Sequence, residues 1–383
     1  MQLMFEPTGT PEAFGAALTA LAAQAGVEAV LVLACDANGW QPEYIDTWLM
    51  GACVPVIGGI FPQIAYQGQN HTQGTLLIGM ADAPHIGVVE GLSDPTADFA
   101  QTVEVWAEQW PLEAAEGTHL VLVDGLASRI GALLESLFFT LGLNHNFIGG
   151  GAGSLSFEQR PCIMTPQGLR CDVALVALLP VASFIGVTHG WTPISDSAIV
   201  TSSDRNVIKS IDWQPAADVY KAMIYAHSGE NITHANFFSI AKSYPLGIAK
   251  FGAEMVVRDP LKMTQDGAVV CVGEVPEGCT VKLLHGNPES LIAAAGQARE
   301  AAFAAAPKGQ VFPDCLLIDC ISRVLFLEDD MARELEAVSQ QGQVFGAFTL
   351  GEIANNGSDY LEFYNKTTVL GLLDTSLSDL KKR

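Results

Sequence analysis

The sequence predicts a mixed α+β (α/β) protein of two domains, each a mixed β-sheet with packed helices, built on repeated strand–helix–strand cassettes. Three observations predict it. First, an apolar run, a helical segment and a second run ending in glycine recur three times: Ala29–Asp36, Gln41–Met50 and Pro55–Gly59; then His119–Asp124, Ser128–Leu141 and Asn144–Ser154; then Cys315–Cys320, Met331–Gln340 and Gln343–Gly346. Second, the stretch after Ser154 changes character to closely spaced strand-like runs. Third, 383 residues of which 49% are hydrophobic exceed one ordinary core, and suit two domains of roughly 150 to 200 residues.

In chain order, alanine and leucine at helical spacing over Pro11–Gln24 predict an amphipathic helix, and Ala29–Cys35 a buried strand. Gly39 and Pro42 break the chain before the first cassette's helix. Thr75–Met80 and Ile86–Val89 alternate with Gly, Asn and Pro turns and predict antiparallel strands joining the same sheet; Thr96–Glu108 is a helix ended by Pro111. Beyond the second cassette, Pro161–Thr165, Cys171–Leu179, Ser183–His189, Ile199–Thr201 and Asn206–Trp213 predict a meander. Cys171–Leu179 lacks alternation, which places it under cover on both faces. Pro215 opens the helix Ala216–His227 and marks the domain boundary, giving domains 1–212 and 213–383. A short helix near Asn236–Ser243, strands at Ala253–Val257, Ala268–Val272 and Thr280–Leu284, an alanine-rich helix over Pro288–Ala306, the third cassette and the strand Thr367–Leu373 follow, and Ser376–Arg383 reads as a solvated basic tail.

A net charge of −23 with 19 Lys plus Arg excludes a nucleic-acid surface, since no useful basic patch can be assembled, and argues equally against an anionic membrane face. No apolar run reaches the ~20 residues that span a bilayer, and the start lacks a signal-peptide pattern, so a cytoplasmic protein is expected. The eight cysteines form no Cys-x-x-Cys pair, which excludes a zinc knuckle or covalent haem attachment and predicts reduced, mostly buried thiols.

The motifs Gly149-Gly-Gly-Ala-Gly153, His189-Gly-Trp-Thr-Pro193, Pro215-Ala-Ala-Asp-Val-Tyr220, Pro245-Leu-Gly-Ile248, Cys320-Ile-Ser-Arg323, Phe345-Gly-Ala-Phe-Thr-Leu-Gly-Glu-Ile353 and Tyr364-Asn-Lys-Thr367 occur in this order. As an ordered set they resemble the FIST proteins, an N-terminal followed by a C-terminal FIST domain, from about Ala29 to Leu373. The resemblance implies a bacterial sensory module for a small ligand, not an enzyme. With no output domain in the sequence, it implies signalling through a separate partner, with a homodimer possible. The layout is similar to the branch of haem-binding nitric-oxide sensors (the NosP group), which implies haem b as cofactor, a gaseous ligand and a histidine kinase as partner. One departure is Gly58-Gly-Ile-Phe-Pro-Gln-Ile64, which lacks the acidic residue of Gly351-Glu-Ile353. That absence counts against an amino-acid ligand, although an amino acid or similar metabolite remains the alternative to haem.

A b-type haem needs an axial donor on an apolar wall, which makes the eight histidines the first candidates. His71, His85 and His285 sit in turn-like contexts, His119 begins a strand and caps it, and His145 belongs to a turn. His189 ends an apolar strand beside Gly190 and Trp191, fitting either a pocket lip or a structural histidine. His227 and His234 flank a polar turn near Tyr225, Phe237 and Phe238. His234, ahead of an apolar run, is the first candidate for the metal and His189 the second, with helix capping or the surface as the plain alternative for both. For a metabolite, Arg323 and Glu352 follow the two strands of the third cassette and converge at one sheet end, either as a buried pair or as ligand contacts. Gly149, Gly150 and Gly151 lack the features of a phosphate loop, leaving close backbone packing or a ligand-facing turn. Cys320 with Arg323 as a nearby cation is a weaker, enzymatic alternative without a visible Cys-His-Asn set.

Overall fold

The computed structural model describes residues 1–111, 117–142, 145–250, 255–339, 343–355 and 360–374. It is a mixed α+β structure in which one unit occurs three times. The first unit runs β1 (Gln2–Glu6), α1 (Pro11–Ala22), β2 (Ala29–Cys35), α2 (Pro42–Gly51), β3 (Val56–Phe61), β4 (Gln63–Tyr66), β5 (Gln69–His71) and β6 (Thr75–Met80). The second repeats the order as β7 (His85–Glu90), α3 (Phe99–Gln109), β8 (Thr118–Asp124), α4 (Ile130–Leu141), β9 (Asn146–Ala152), β10 (Ile163–Thr165), β11 (Gly168–Arg170) and β12 (Val173–Leu179). The third opens with β13 (Ala182–Thr188) and is interrupted by an insert. The insert comprises β14 (Thr192–Pro193), β15 (Ala198–Asp204), β16 (Val207–Ile211), β17 (Gln214–Pro215), α5 (Ala216–Ser228), α6 (Phe237–Ala241), β18 (Leu246–Ile248), β19 (Val256–Arg258), β20 (Pro260–Met263), β21 (Val269–Cys271) and β22 (Thr280–His285). The unit resumes with α7 (Pro288–Ala305), β23 (Asp314–Cys320), α8 (Ile321–Leu327), α9 (Met331–Val338), β24 (Gln343–Thr349), β25 (Glu352–Ala354), β26 (Glu362–Tyr364) and β27 (Thr368–Asp374).

Local signals start the helices where expected. Pro sits in the first turn of α1, α2 and α7; Thr10 and Asp98 accept from the backbone N–H groups of Ala13 and Gln101, and Asn287 and Ser290 cap α7 reciprocally. Each cassette forms a parallel pair, β2 with β3, β8 with β9 and β23 with β24, and the last strand of the same unit lies antiparallel on its first strand. At the matched positions Gly58, Gly149 and Gly346 a Cβ would lie 2.0, 1.8 and 1.7 Å from the carbonyl oxygens of Val32, Val121 and Leu317. Only glycine fits that approach, which is why each cassette ends in it.

The hairpins then change partners in a cycle. β4–β5 of the first unit extends β24 of the third, β10–β11 of the second extends β3 of the first, and β25–β26 of the third extends β9 of the second. Strands from both sides of residue 212 therefore share sheets. The exchange also corrects two expectations. Ile86–Val89 does not join the sheet of Thr75–Met80, because β7 pairs with β12. The runs from Pro161 to Trp213 are no single meander, since β10 and β11, β12, β13, and β15 with β16 fall in four different sheets. β12 is buried along its whole length, as its lack of alternation predicts. Among the described residues no helix is long and apolar enough to cross a membrane. The basic tail Ser376–Arg383 lies outside the described residues.

Candidate functional site

In sheets with parallel strands, ligands bind beyond the carboxyl ends of the strands, where the following loop turns into a helix. This chain has three such tips. Those of the first and third units are nearly filled, with cavities of about 20 Å³ beside Asp36 and Trp40 and beside Cys320 and Ser322. The tip of the second unit opens instead into a cavity of about 510 Å³, bounded by Gly125–Ser128, α4, β26 and the insert. The size suits a small organic molecule.

Its walls are mainly apolar. α4 contributes Ile130, Leu134 and Phe138, the insert Ile248 and Val256, and β26 Phe363. The exposed rings of Phe139 and Tyr360 stand at the edge, and Tyr360 packs on Phe138 with centroids 4.9 Å apart. Arg205 Nη1 donates to Ser128 Oγ at 2.8 Å and ties the insert to the β8–α4 loop. The polar groups are few. Arg258, 7% exposed, donates from Nε to the Glu274 carbonyl at 2.8 Å and from Nη1 to the carbonyls of Phe363 at 2.7 Å and Val257 at 3.1 Å. Burial lowers its pKa. Burial also raises the pKa of Glu274, against the attraction of Arg205. Lys250 pairs with Glu362 at the mouth.

The residues singled out from sequence lie elsewhere. Arg323 is fully buried, and its guanidinium grips Glu334 through Nε and Nη2 at 2.8 and 2.9 Å while reaching Asp319 at 3.3 Å. Its remaining donors go to the carbonyls of His189, Leu291 and Lys366. Glu352 is not its bonded partner: it accepts from Thr349 Oγ1 at 3.0 Å and the Thr367 N–H at 3.2 Å, and burial pushes its pKa up to about 8. Both residues fasten the third unit together. Gly150 and Gly151 pack backbone to backbone on Leu350 and Gly351, with the Gly151 N–H donating to the Gly351 carbonyl at 2.8 Å. Cys320 is buried within 2.9 Å of Ser322 Oγ, and burial together with Glu352 raises the pKa of its thiol. Five of the eight cysteines are buried, as expected for most of them.

The histidines fit a haem poorly. His234 is exposed in the turn before α6. His189 is buried, its Nδ1 accepts the Trp191 N–H at 2.9 Å, and burial next to Arg323 lowers its pKa to about 4. Neither lines the large cavity, and no other histidine among the described residues does. His119, expected to cap the strand it begins, is wholly buried near the start of β8, with Phe147 stacked at 4.7 Å, Trp110 at 6.0 Å and His145 edge-on at 5.0 Å. His145, expected in a turn, lies in the bend just before β9 and is buried. Among the described residues no group of three or more His, Cys, Asp or Glu side chains is placed to hold a metal.

Sequence reasoning missed Arg258, Glu274 and Lys250. The one available signal was an arginine closing the apolar run Met255-Val-Val-Arg258 in a chain with few cations.

A roomy apolar cavity at a cassette tip, walled partly by an inserted sheet, is the architecture of a small-ligand-binding protein. Comparison with family models gives the same class and narrows it: the FIST N domain matches residues 29–214 and the FIST C domain residues 216–355. The chain belongs to the FIST-domain proteins, whose domains are sensory and bind small ligands. No curated protein matches it.

Proposed function

We propose that this chain senses a small organic molecule held in the cavity between α4 and the insert, and passes the signal to a separate protein such as a histidine kinase. The observation that carries the reading is the cavity of about 510 Å³ itself, at the tip where the other two units are filled. Its walls come from opposite sides, α4 from the second unit and β18, β19 and β21 from the insert. A ligand touching both changes the free energy of their approach, and that differential contact is what a sensor requires. The narrower reading, a histidine-ligated haem b that senses nitric oxide, needs a histidine at the cavity, and the described lining has none. An organic metabolite suits the same walls without one.

A metabolite screen by thermal shift tests the proposal. A ligand at 100 times its dissociation constant stabilises by about 2.7 kcal/mol. Compounds that raise the melting temperature of the native chain should stabilise Leu134→Trp less, because its indole intrudes on the cavity wall; an equal shift in that variant places the ligand elsewhere. An absorption spectrum after haem addition separates the haem reading: a Soret band lost in His234→Ala or His189→Ala restores it.

A further inference from the structure

Charge at the cavity is met within the protein. The charged side chains that line it are Lys250 and Arg258 against Glu135, Glu274 and Glu362. Lys250 pairs with Glu362. Arg258 is attracted by Glu362 and Glu274, while its Nε and Nη1 protons go to the carbonyls of Glu274, Val257 and Phe363. Glu274 is attracted most by Arg205, which reaches the lining through Ser128, and less by Arg258 and Arg129; the exposed Glu135 repels it. Among the described residues, then, Glu135 is left to water at the rim and each of the other lining charges faces one of opposite sign. The neutral polar groups are engaged as well: Ser128 Oγ accepts from Arg205, and Asn206 Nδ2 donates to the Cys271 carbonyl at 2.9 Å. Burial still raises the pKa of Glu274, so these surroundings disfavour ionisation even beside cations. An ion drawn into this space gives up its hydration for little return, a cost that an uncharged body escapes.

Rings supply the attraction. Phe138 and Phe139 of α4 line the cavity together with Tyr360 and Phe363, and the Phe138 centroid lies 4.9 Å from that of Tyr360 and 5.9 Å from that of Phe139. Such a group accepts a further ring edge-on or offset-stacked, with a gain beyond the area buried. We propose that the cavity receives an uncharged aromatic molecule, its ring among Phe138, Phe139, Tyr360 and Phe363 and its remaining surface against Leu134 and Ile248. The inference rests on the cavity being the ligand site.

The test compares three probes of similar shape, 2-naphthylmethanol, 2-naphthoate and 2-naphthylmethylamine, by isothermal titration calorimetry on the whole chain. High salt screens the overall charge of −23, which would otherwise draw the amine to the surface. The alcohol should bind at least about tenfold more tightly than either ion. Glu274→Gln, which leaves Arg205 and Arg258 short of a counter-charge, should raise the affinity for the acid and leave that for the alcohol unchanged. Leu134→Trp should weaken binding of the alcohol. Acid or amine binding to the native chain as tightly as the alcohol overturns the uncharged-ligand inference and leaves the cavity reading standing. Binding of none of the three overturns both, and binding of the alcohol undiminished in Leu134→Trp overturns the cavity reading on which the inference rests. Because the native ratios decide the ligand's charge alone, poor folding of a variant does not remove the test.

Discussion

Arg323 and Glu334 form a two-point ion pair in the interior of the third unit, with Nε–Oε1 and Nη2–Oε2 distances of 2.8 and 2.9 Å and neither side chain more than 1% exposed. The pair joins α8 to α9, and the other guanidinium donors hold the carbonyls of His189, Leu291 and Lys366. Removing the guanidinium would strand Glu334 and Asp319. Breaking a buried pair from one side costs about 3–5 kcal/mol, so Arg323→Met should lower the urea midpoint of the chain by that equivalent. A variant with unchanged stability but altered ligand affinity would return Arg323 to the ligand site.

Glu352 gives the fold a dependence on alkaline pH. Its folded pKa is raised by burial to about 8 from 4.5, so the native state keeps a proton that the unfolded state releases. The stability this contributes is fully present below about 4.5 and is lost as pH rises through about 8. Asp319, also raised by burial, acts with the same sign. Glu352→Gln should therefore flatten, though not abolish, the fall in denaturation midpoint between pH 5 and pH 9. A variant with the slope of the native chain would refute the assignment.

His119 acts in the opposite direction. Burial, aided by His145, depresses its pKa to about 3 from 6.5, so the unfolded state takes up a proton that the native state refuses. Its stabilising contribution is present above about 6.5 and lost as pH falls through about 3. Among the described residues both ring nitrogens lack hydrogen-bond partners, while Phe147 stacks on the ring at 4.7 Å. His119→Phe should equal or exceed the native stability at pH 7 and gain further at pH 5, read from thermal midpoints at both values. Loss of more than about 1 kcal/mol at pH 7 would reveal a hydrogen bond that the ring needs.

His234→Ala should leave thermal stability within about 0.5 kcal/mol of the native chain, since the side chain is exposed and away from the cavity. It should also leave unchanged the melting-temperature shift given by compounds that stabilise the native chain. A smaller shift in this variant would extend the site to the turn before α6.

The cassettes were legible in the sequence because their cause is local: a buried strand, a helix, and a glycine that must face the carbonyl of Val32, Val121 or Leu317. The exchange of hairpins was not, because β4, β10 and β25 are runs of three or four residues and nothing local names the sheet they join. At the third unit the family motif exposed Arg323 and Glu352, but their roles depend on Glu334 and Thr367, which lie on other elements. The cavity was hidden for the same reason. It exists only where β19 and β21 of the insert fold back on α4, more than a hundred residues earlier in the chain.

The central claim is that ligand occupies the space between α4 and the insert. Amide hydrogen exchange of the native chain, with and without a saturating compound that raises its melting temperature in the metabolite screen, tests it most directly. The structure predicts added protection over Ile130–Leu141 and around Val269–Cys271, with the Cys320–Leu327 segment unchanged. Protection centred on Cys320–Leu327, or none in α4, would contradict it.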